Sequence, residues 1–317
     1  MTNLRDRVAG ALLGVHVGDA LGAGSEFASP AAIAEDHPLG VQHITGGGPF
    51  GWEPGEATDD TSLTKAVLDA YLTNPADPVH RAAELMLAWF LTGPPDVGAA
   101  TRHGLEAFAR SGDPRRAGAG YGRAGNGSLM RTIPVGLARA DGALRRAEAA
   151  AISEITHDDP RCVGACVAYC DLVDLLADGL AVEAAVGEVL ADETLDGFDP
   201  RVRRAISFGV DLAPEALHLA GPTVSPAMVD GPYGGGGYVL DALAIAVGAA
   251  LTPDPFDEVL PLVVGLGGDT DTNAAIAGGL LGARDGLDAI PTMWLAPLEH
   301  RDAFLGAVPA LLDLRTG

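Results

Sequence analysis

The chain has 317 residues and a formal net charge of −23, from 43 acidic and 20 basic side chains. A protein this acidic repels nucleic-acid backbones and anionic membranes, so we expect neither as a direct partner. A phosphate-bearing ligand would need cations or helix N-termini supplied by its own binding site. Hydrophobic residues make up 48% of the sequence and aromatic residues only 5%, which predicts a core of small side chains and closely packed helices.

Helical periodicity dominates the sequence from its start. Apolar residues recur every three or four positions in segments that begin near Leu4, Leu63, Cys162, Val182 and Tyr238. The last segment, up to residue 251, is apolar on nearly every side, as a buried helix would be. Patterns with a period of two are scarce, so we predict an all-α, compact, many-helix bundle. No linker or repeat divides the chain, and residues 1–317 are expected to form one domain.

We expect no targeting segment at the N-terminus. His16 and Asp19 interrupt its apolar stretch, no cleavage site follows, and no apolar run approaches the ~20 residues needed to cross a bilayer. The three cysteines, Cys162, Cys166 and Cys170, lie on one face of a predicted helix. Their odd number and the lack of a second ligand cluster favour core packing over disulfides or zinc. These features predict a cytoplasmic protein.

Glycine-rich loops separate the predicted helices, at residues 46–51, 118–127, 234–237 and 265–268. The first two contain Gly-x-Gly-x-x-Gly strings. Neither string stands between a strand and a helix, which is the context that a dinucleotide-binding fold requires. A Rossmann fold is therefore not expected.

Two clusters of aspartate and threonine each stand directly before a predicted helix. The first is Thr58–Thr61, and the second is Asp269–Asn273. One Asp or Thr suffices to cap a helix, whereas two carboxylates within three positions repel each other unless a cation neutralises them. Carboxylate and hydroxyl oxygens suit Mg²⁺ or Mn²⁺, and together the clusters would suffice for a two-ion site. Metal binding and helix capping both stay open from the pattern alone.

Two other classes of metal enzyme fit the acidic clusters less well. An all-α isoprenoid synthase would need Asp-Asp-x-x-Asp, and the string at residues 59–63 lacks the last acid. A glycosyltransferase with Asp-x-Asp would be consistent with Asp269 and Asp271, but it would normally come with an α/β nucleotide-binding sheet that the periodicity does not predict.

Five motifs, taken in order, resemble those of the ADP-ribosylglycohydrolase family. They are Gly18–Gly22 followed by Glu26, Thr58–Thr61, Gly125–Arg131, Thr156-His157 and Gly267–Asn273. Their order and spacing match from near residue 8 to about residue 283. The resemblance implies an all-α fold, two Mg²⁺ or Mn²⁺ ions, and hydrolysis of the C1″ linkage of ADP-ribose conjugates with release of ADP-ribose.

The resemblance also implies roles for individual residues. The implied metal ligands are Thr58, Asp59, Asp60, Asp269, Asp271 and Thr272. The implied catalytic residues are Glu26, as the base or water-orienting acid, together with the metal-holding Asp60 and Asp271. The residues implied to line the substrate are Gly125, Asn126, Gly127, Ser128 and His157.

A second glycine-rich loop adds candidates from its composition. The loop at residues 234–237 lacks Cβ atoms and offers backbone N–H groups to phosphate, so we include Gly237 and Tyr238 among the substrate-binding residues. Tyr233 or Tyr238 could stack on adenine, although Tyr238 could equally anchor the helix that follows. Arg131 could contact phosphate or form a structural salt bridge, and Asp19 is expected to make a structural hydrogen bond.

One position departs from part of the family. Relatives that act on ADP-ribosylarginine carry an aspartate three residues before the motif's asparagine, where this chain has Arg123. Arginine can neither act as a carboxylate base nor pair with a guanidinium, so the arginine linkage is in doubt, and serine- and acetyl-linked ADP-ribose stay open. A non-catalytic, crystallin-like relative would have eroded metal ligands, which are intact here. Another metal-dependent nucleotide hydrolase would yield AMP in place of ADP-ribose.

Overall fold

The computed structural model describes residues 3–212 and 237–316. Within these ranges the chain forms fifteen α-helices and no β-strand beyond isolated bridges. The helices are α1 (Leu4–Gly22), α2 (Pro30–Asp36), α3 (Asp59–Thr73), α4 (Pro78–Phe90), α5 (Ala99–Ser111), α6 (Ile133–Ala138), α7 (Gly142–Glu154), α8 (Pro160–Ala177), α9 (Val182–Ala191), α10 (Pro200–Leu212), α11 (Val239–Leu251), α12 (Phe256–Gly265), α13 (Thr270–Asp285), α14 (Thr292–Leu295) and α15 (Arg301–Thr316). The all-α prediction is confirmed.

Helix starts follow local signals in the sequence. Asp159 caps α8 by accepting a hydrogen bond from the backbone N–H of Arg161, and Pro160 occupies the first turn, where no N–H is needed. The three cysteines of α8 are unpaired and buried, as core packing predicted. The apolar segment after residue 237 forms α11, which begins at Val239 with Tyr238 as its N-cap residue.

Helices α1 and α13 cross the centre of the fold in opposite directions and in close contact. A Cβ added to Gly14 would lie 2.1 Å from the carbonyl oxygen of Gly278, and one added to Gly18 would lie 2.0 Å from that of Ala274. Only glycine permits this approach, because any larger residue would push the backbones apart. As a result, the C-terminal end of α1 lies beside the N-terminal start of α13, where the second acidic cluster stands.

The segment Leu4–Ser25, which is α1 with the turn after it, is long and apolar enough to span a membrane by composition. The expectation that no apolar run approaches the length of a membrane span was therefore wrong for this segment, because His16 and Asp19 interrupt its apolar residues without lowering its mean hydropathy enough. In the fold, 94% of its apolar window is buried, and α13 covers one side of it. Such burial is typical of a core helix.

Candidate active site

The two Asp/Thr clusters lie together in the fold. The Thr272 hydroxyl donates to Asp60 Oδ2 at 3.2 Å, although 212 positions separate these residues along the chain. Asp60 and Asp271 are 0% and 1% exposed. The clusters converge because α3 and α13 begin at the same place, each with acidic residues in its first turn.

Helix capping explains only part of the first cluster. Thr58 caps α3 by accepting a hydrogen bond from the backbone N–H of Asp60 at 3.2 Å. At the start of α13, Asp269 occupies the N-cap position but makes no capping hydrogen bond. Its Oδ2 instead accepts from the Asn126 side-chain amide at 2.8 Å. The carboxylates are therefore turned toward each other and toward a shared site.

Asp19 joins this site from the end of α1. Its Oδ2 accepts from the backbone N–H groups of Thr58 and Thr61, both at 3.2 Å, which is the expected structural role. Its carboxylate also groups with those of Asp60 and Asp271, with one oxygen of each residue within 4.8 Å of the others.

A second group of the same kind consists of Glu26, Asp269 and Asp271. The two groups share Asp271, as neighbouring sites for two cations would. We name the six acids of these groups, with Asp59 included, the floor cluster: Asp19, Glu26, Asp59, Asp60, Asp269 and Asp271.

Burial and mutual repulsion disturb the titration of the floor cluster. Burial first, and then the neighbouring carboxylates, raise the pKa of Asp59, Asp60 and Asp271 well above the ordinary value. The same causes raise the pKa of Glu26 to about 8. Within the described residues, Asp60 Oδ1 and Glu26 Oε2 are buried acceptors without a hydrogen-bond partner. Crowded, unpaired carboxylate oxygens are the donor set that Mg²⁺ or Mn²⁺ prefers, so the residues fit such ions.

A cavity of about 620 Å³ opens above the floor cluster. Its walls include nine of the residues suggested by the sequence: Glu26, Asp59, Gly125, Asn126, Gly127, His157, Gly237, Asp269 and Thr272. Thr58, Asp60 and Asp271 lie beneath this surface and are buried. The predicted metal ligands thus form the base of the cavity, and the predicted substrate-binding loop forms one wall.

Two of the suggested substrate-binding residues stand behind the wall. Ser128 is fully buried, and its hydroxyl accepts from Ser153 at 2.9 Å. Tyr238 is 6% exposed, and its ring packs 5.7 Å from the Arg161 guanidinium. This placement favours the anchoring role of Tyr238 over stacking on adenine. Tyr233 and residues 234–236 lie outside the described part of the chain.

Arg131 is neither a phosphate contact nor part of a salt bridge in the described structure. It is 0% exposed and donates to the Gly127 carbonyl at 2.8 Å and to the Thr156 hydroxyl at 2.7 Å. Because Arg131 occupies the Thr156 oxygen as a donor, the hydroxyl proton is available to His157 Nδ1, 2.7 Å away. Arg131 therefore holds the predicted substrate-binding loop through Gly127 and contacts the threonine beside the histidine.

His157 is a neutral side chain at the cavity wall. Burial first, and then Arg131, lower its pKa to about 3, so the ring carries one proton at neutral pH. The tautomer in which Nδ1 accepts from the Thr156 hydroxyl carries that proton on Nε2. A Cβ added to Gly127 would lie 3.0 Å from His157 Cε1, so the loop requires glycine at this position to approach the ring.

Two residues that line the cavity, Asp96 and Phe27, were not predicted from the sequence. Asp96, in the loop between α4 and α5, lines the cavity, and after burial its negative charge is the next cause that raises the pKa of Asp59. It belongs to no motif, and only the fold brings it to the site. Phe27 has a left-handed backbone with φ 62°, held by a 2.7 Å hydrogen bond from its N–H to the Gly268 carbonyl. This conformation turns Glu26 inward and leaves Phe27 64% exposed at the rim.

Comparison with known proteins identifies a family profile and several relatives that match this chain. A family profile described as ADP-ribosylglycohydrolase matches residues 1–317. The chain is 31% identical to an ADP-ribosyl-[dinitrogen reductase] glycohydrolase of Rhodospirillum rubrum, covering 94% of this chain and 92% of the relative.

Two further proteins are similar to this chain, one in sequence and one in structure. An ADP-ribosylarginine hydrolase of Pseudomonas putida (strain GB-1) is 30% identical over 92% of this chain and 73% of its own length. A solved structure described as an ADP-ribosylglycohydrolase-related protein complex superposes with a TM-score of 0.82 and 32% identity, covering 99% of each chain.

Proposed function

We propose, on the premise that this chain belongs to the ADP-ribosylglycohydrolase family and is a glycosidic hydrolase of ADP-ribose conjugates, that it uses two divalent cations to cleave the C1″ linkage of the distal ribose. The product is free ADP-ribose. The observation that carries this proposal is the pair of overlapping carboxylate groups at the base of the cavity, which share Asp271. Among the described residues, no arginine or lysine forms an ion pair with these carboxylates. Divalent cations would relieve the repulsion between them.

The proposed ligands are the oxygens of Thr58, Asp59, Asp60, Asp269, Asp271 and Thr272. Bound Mg²⁺ or Mn²⁺ would supply Lewis-acid polarisation and hold the ribose hydroxyls in a fixed orientation. Asn126 keeps Asp269 in place through its 2.8 Å amide hydrogen bond. Asp19 holds the backbone of Thr58 and Thr61, so it positions the start of α3.

Glu26 is the proposed general base. It lines the cavity, and its Oε2 has no partner among the described residues, so it can accept a proton from the attacking water. A pKa raised to about 8 gives this carboxylate an unusually high proton affinity. Bound cations would lower this pKa, so that the carboxylate is ionised and can act as a base at neutral pH. His157 Nε2–H faces the ribose side of the cavity as a donor, and the Gly125–Gly127 backbone lets a diphosphate approach closely.

The acceptor linkage is tested first with arginine. Two of the similar proteins are named for dinitrogen reductase and for arginine. Asp96 adds to the cavity wall a carboxylate that could face a guanidinium. Arg123, which also lines the cavity, would repel a substrate guanidinium only at its own position. Serine- and acetyl-linked ADP-ribose complete the substrate panel.

The test of the reaction is product analysis by mass spectrometry with arginine-, serine- and acetyl-linked ADP-ribose, with and without Mg²⁺ or Mn²⁺. We expect ADP-ribose from at least one substrate, and loss of turnover in excess chelator. Release of AMP would contradict the proposal, because it would mean cleavage of the diphosphate. Full turnover in chelator would contradict the need for cations.

Glu26→Gln tests the base. The amide cannot take a proton, so hydrolysis should slow by about 10²–10⁴-fold while ADP-ribose binding, measured by calorimetry, is retained. Glu106→Gln is a matched control, because Glu106 is exposed on α5 and outside the cavity. An unchanged rate in Glu26→Gln would remove this residue from the base role.

A further inference from the structure

A short turn at the lip of the cavity precedes the substrate-binding loop. The backbone N–H of Arg123 donates to the Gly120 carbonyl at 3.4 Å, and both glycines of the turn, Gly120 and Gly122, have left-handed φ values of 90° and 93°. We call residues 120–123 the rim turn.

Two carboxylates just before α8 hold the rim turn from behind. Asp158 accepts from the Gly120 N–H at 2.6 Å, and Asp159 accepts from the Gly122 N–H at 2.8 Å. Glycine fits the left-handed positions without strain, and the carboxylates fix them. The rim turn is therefore a preformed element with an anchored backbone, and its Tyr121 and Arg123 side chains are exposed.

Tyr121 stands at the tip of this turn and is 78% exposed. The Arg161 guanidinium lies 6.0 Å from the Tyr121 ring and 5.7 Å from the Tyr238 ring. Arg161 is itself fixed by a 2.8 Å bond from its Nε to Asp159. An aromatic ring backed by a fixed cation and otherwise open to solvent is a platform on which a flat base can stack.

Arg123 follows at the inner side of the turn and lines the cavity. It is the one arginine or lysine among the lining residues of the described cavity, where Glu26, Asp59, Asp96 and Asp269 are acidic. No ion pair of the Arg123 guanidinium is found in the described residues. In a chain with a net charge of −23, an unpaired arginine on this wall is the local cation that a phosphate ligand requires.

We propose that the rim turn grips the ADP half of the substrate, with Arg123 paired to the diphosphate and Tyr121 stacked on the adenine. This inference rests on the proposed function. Along the chain, Asn126 contacts the floor cluster, Arg123 lies further out and Tyr121 lies at the tip. The order matches that of distal ribose, diphosphate and adenine.

The test measures the affinity of ADP, which lacks the distal ribose, and of ADP-ribose by calorimetry in Mg²⁺. Arg123→Ala should weaken ADP binding by about ten- to a hundredfold and reduce its dependence on salt. Tyr121→Ala should weaken it by about five- to a hundredfold, whereas Tyr121→Phe keeps the ring and the affinity. Arg116→Ala removes the same charge from an exposed site outside the cavity and should leave affinity unchanged.

Kinetics separate a positioning role from a structural one. Because both contacts are made equally in the ground state and the transition state, Arg123→Ala and Tyr121→Ala should raise KM and leave kcat unchanged. Wild-type binding of ADP-ribose with no loss in either variant would overturn the rim proposal and leave the proposed function standing. A raised KM for a protein conjugate with unchanged ADP affinity would also overturn it, since the turn would then contact the acceptor. No binding or hydrolysis of any ADP-ribose conjugate by the wild type would instead contradict the proposed function.

Discussion

Two groups of buried acids in this molecule have opposite environments. At the floor cluster, carboxylates face one another without an arginine or lysine ion pair in the described residues. Behind the cavity, α7, α8 and α15 bring together an arginine network, made of Arg145, Arg146, Arg315, Asp171 and Asp174. There Arg145 contacts Asp171 at 2.9 Å and Asp174 at 2.8 Å.

The difference shows how the same side chain serves stability in one place and chemistry in another. A buried carboxylate is costly unless it is paired. In the arginine network the chain supplies its own cations, so the acids tie three helices together. At the floor cluster the described residues supply no arginine or lysine partner, so burial and the repulsion between the acids raise their pKa. The proposed metal binding rests on this missing partner.

The largest effect is expected from breaking the floor cluster. Asp271→Ala removes the carboxylate common to both groups, so metal affinity and hydrolysis should each fall at least about a hundredfold. The metal-free protein should unfold at the same temperature or higher, because one repelling acid has gone. Titration with Mn²⁺, turnover and thermal melting measure the three quantities. Full turnover in this variant would exclude the shared-ligand arrangement.

The arginine network should respond in the opposite sense. Arg145→Ala leaves Asp171 and Asp174 with less compensation in a buried site, which should lower the free energy of unfolding by about 3–5 kcal/mol. Urea denaturation measures the loss, and kcat of the folded fraction should be retained, because the network shares no residue with the cavity. Arg116→Ala is the exposed control, expected within about 0.5 kcal/mol of wild type. A small loss for Arg145→Ala would show that the network is not structural.

A smaller effect is expected in the pH dependence of stability, which distinguishes the floor cluster from the arginine network. The Glu26 pKa rises from an ordinary 4.5 to about 8, so without metal the folded state holds a proton that the unfolded chain releases. This group therefore lowers metal-free stability as pH rises between these two values. Cations favour the ionised acids, so the increase in melting temperature caused by Mg²⁺ should grow over the same range. Asp271→Asn should flatten this increase, and a wild-type increase that is constant or declines with pH would refute the linkage.

Much of the site was readable because its residues stand in local motifs. The order of the Asp/Thr clusters, Glu26 and the Asn126 loop identified the family and supplied most of the nine cavity residues that the sequence suggested. Asp96 was missed because a lone acid in a loop has no periodicity or spacing to mark it. Tyr238 was weighed for stacking because its neighbouring glycines suggest an open loop, whereas the fold places its ring against Arg161.

The sequence by itself determined the helices, their caps and the identity of the oxygen donors, because each depends on neighbours a few positions apart. Only the tertiary structure decided which donors share a site and which acids receive an arginine partner. That outcome depends on the close crossing of α1 and α13, where glycine lets Gly14 and Gly278 touch through their backbones. Contacts between residues more than two hundred positions apart, such as Asp60 and Thr272, leave no periodic trace in a single chain, so the floor cluster took shape only on folding.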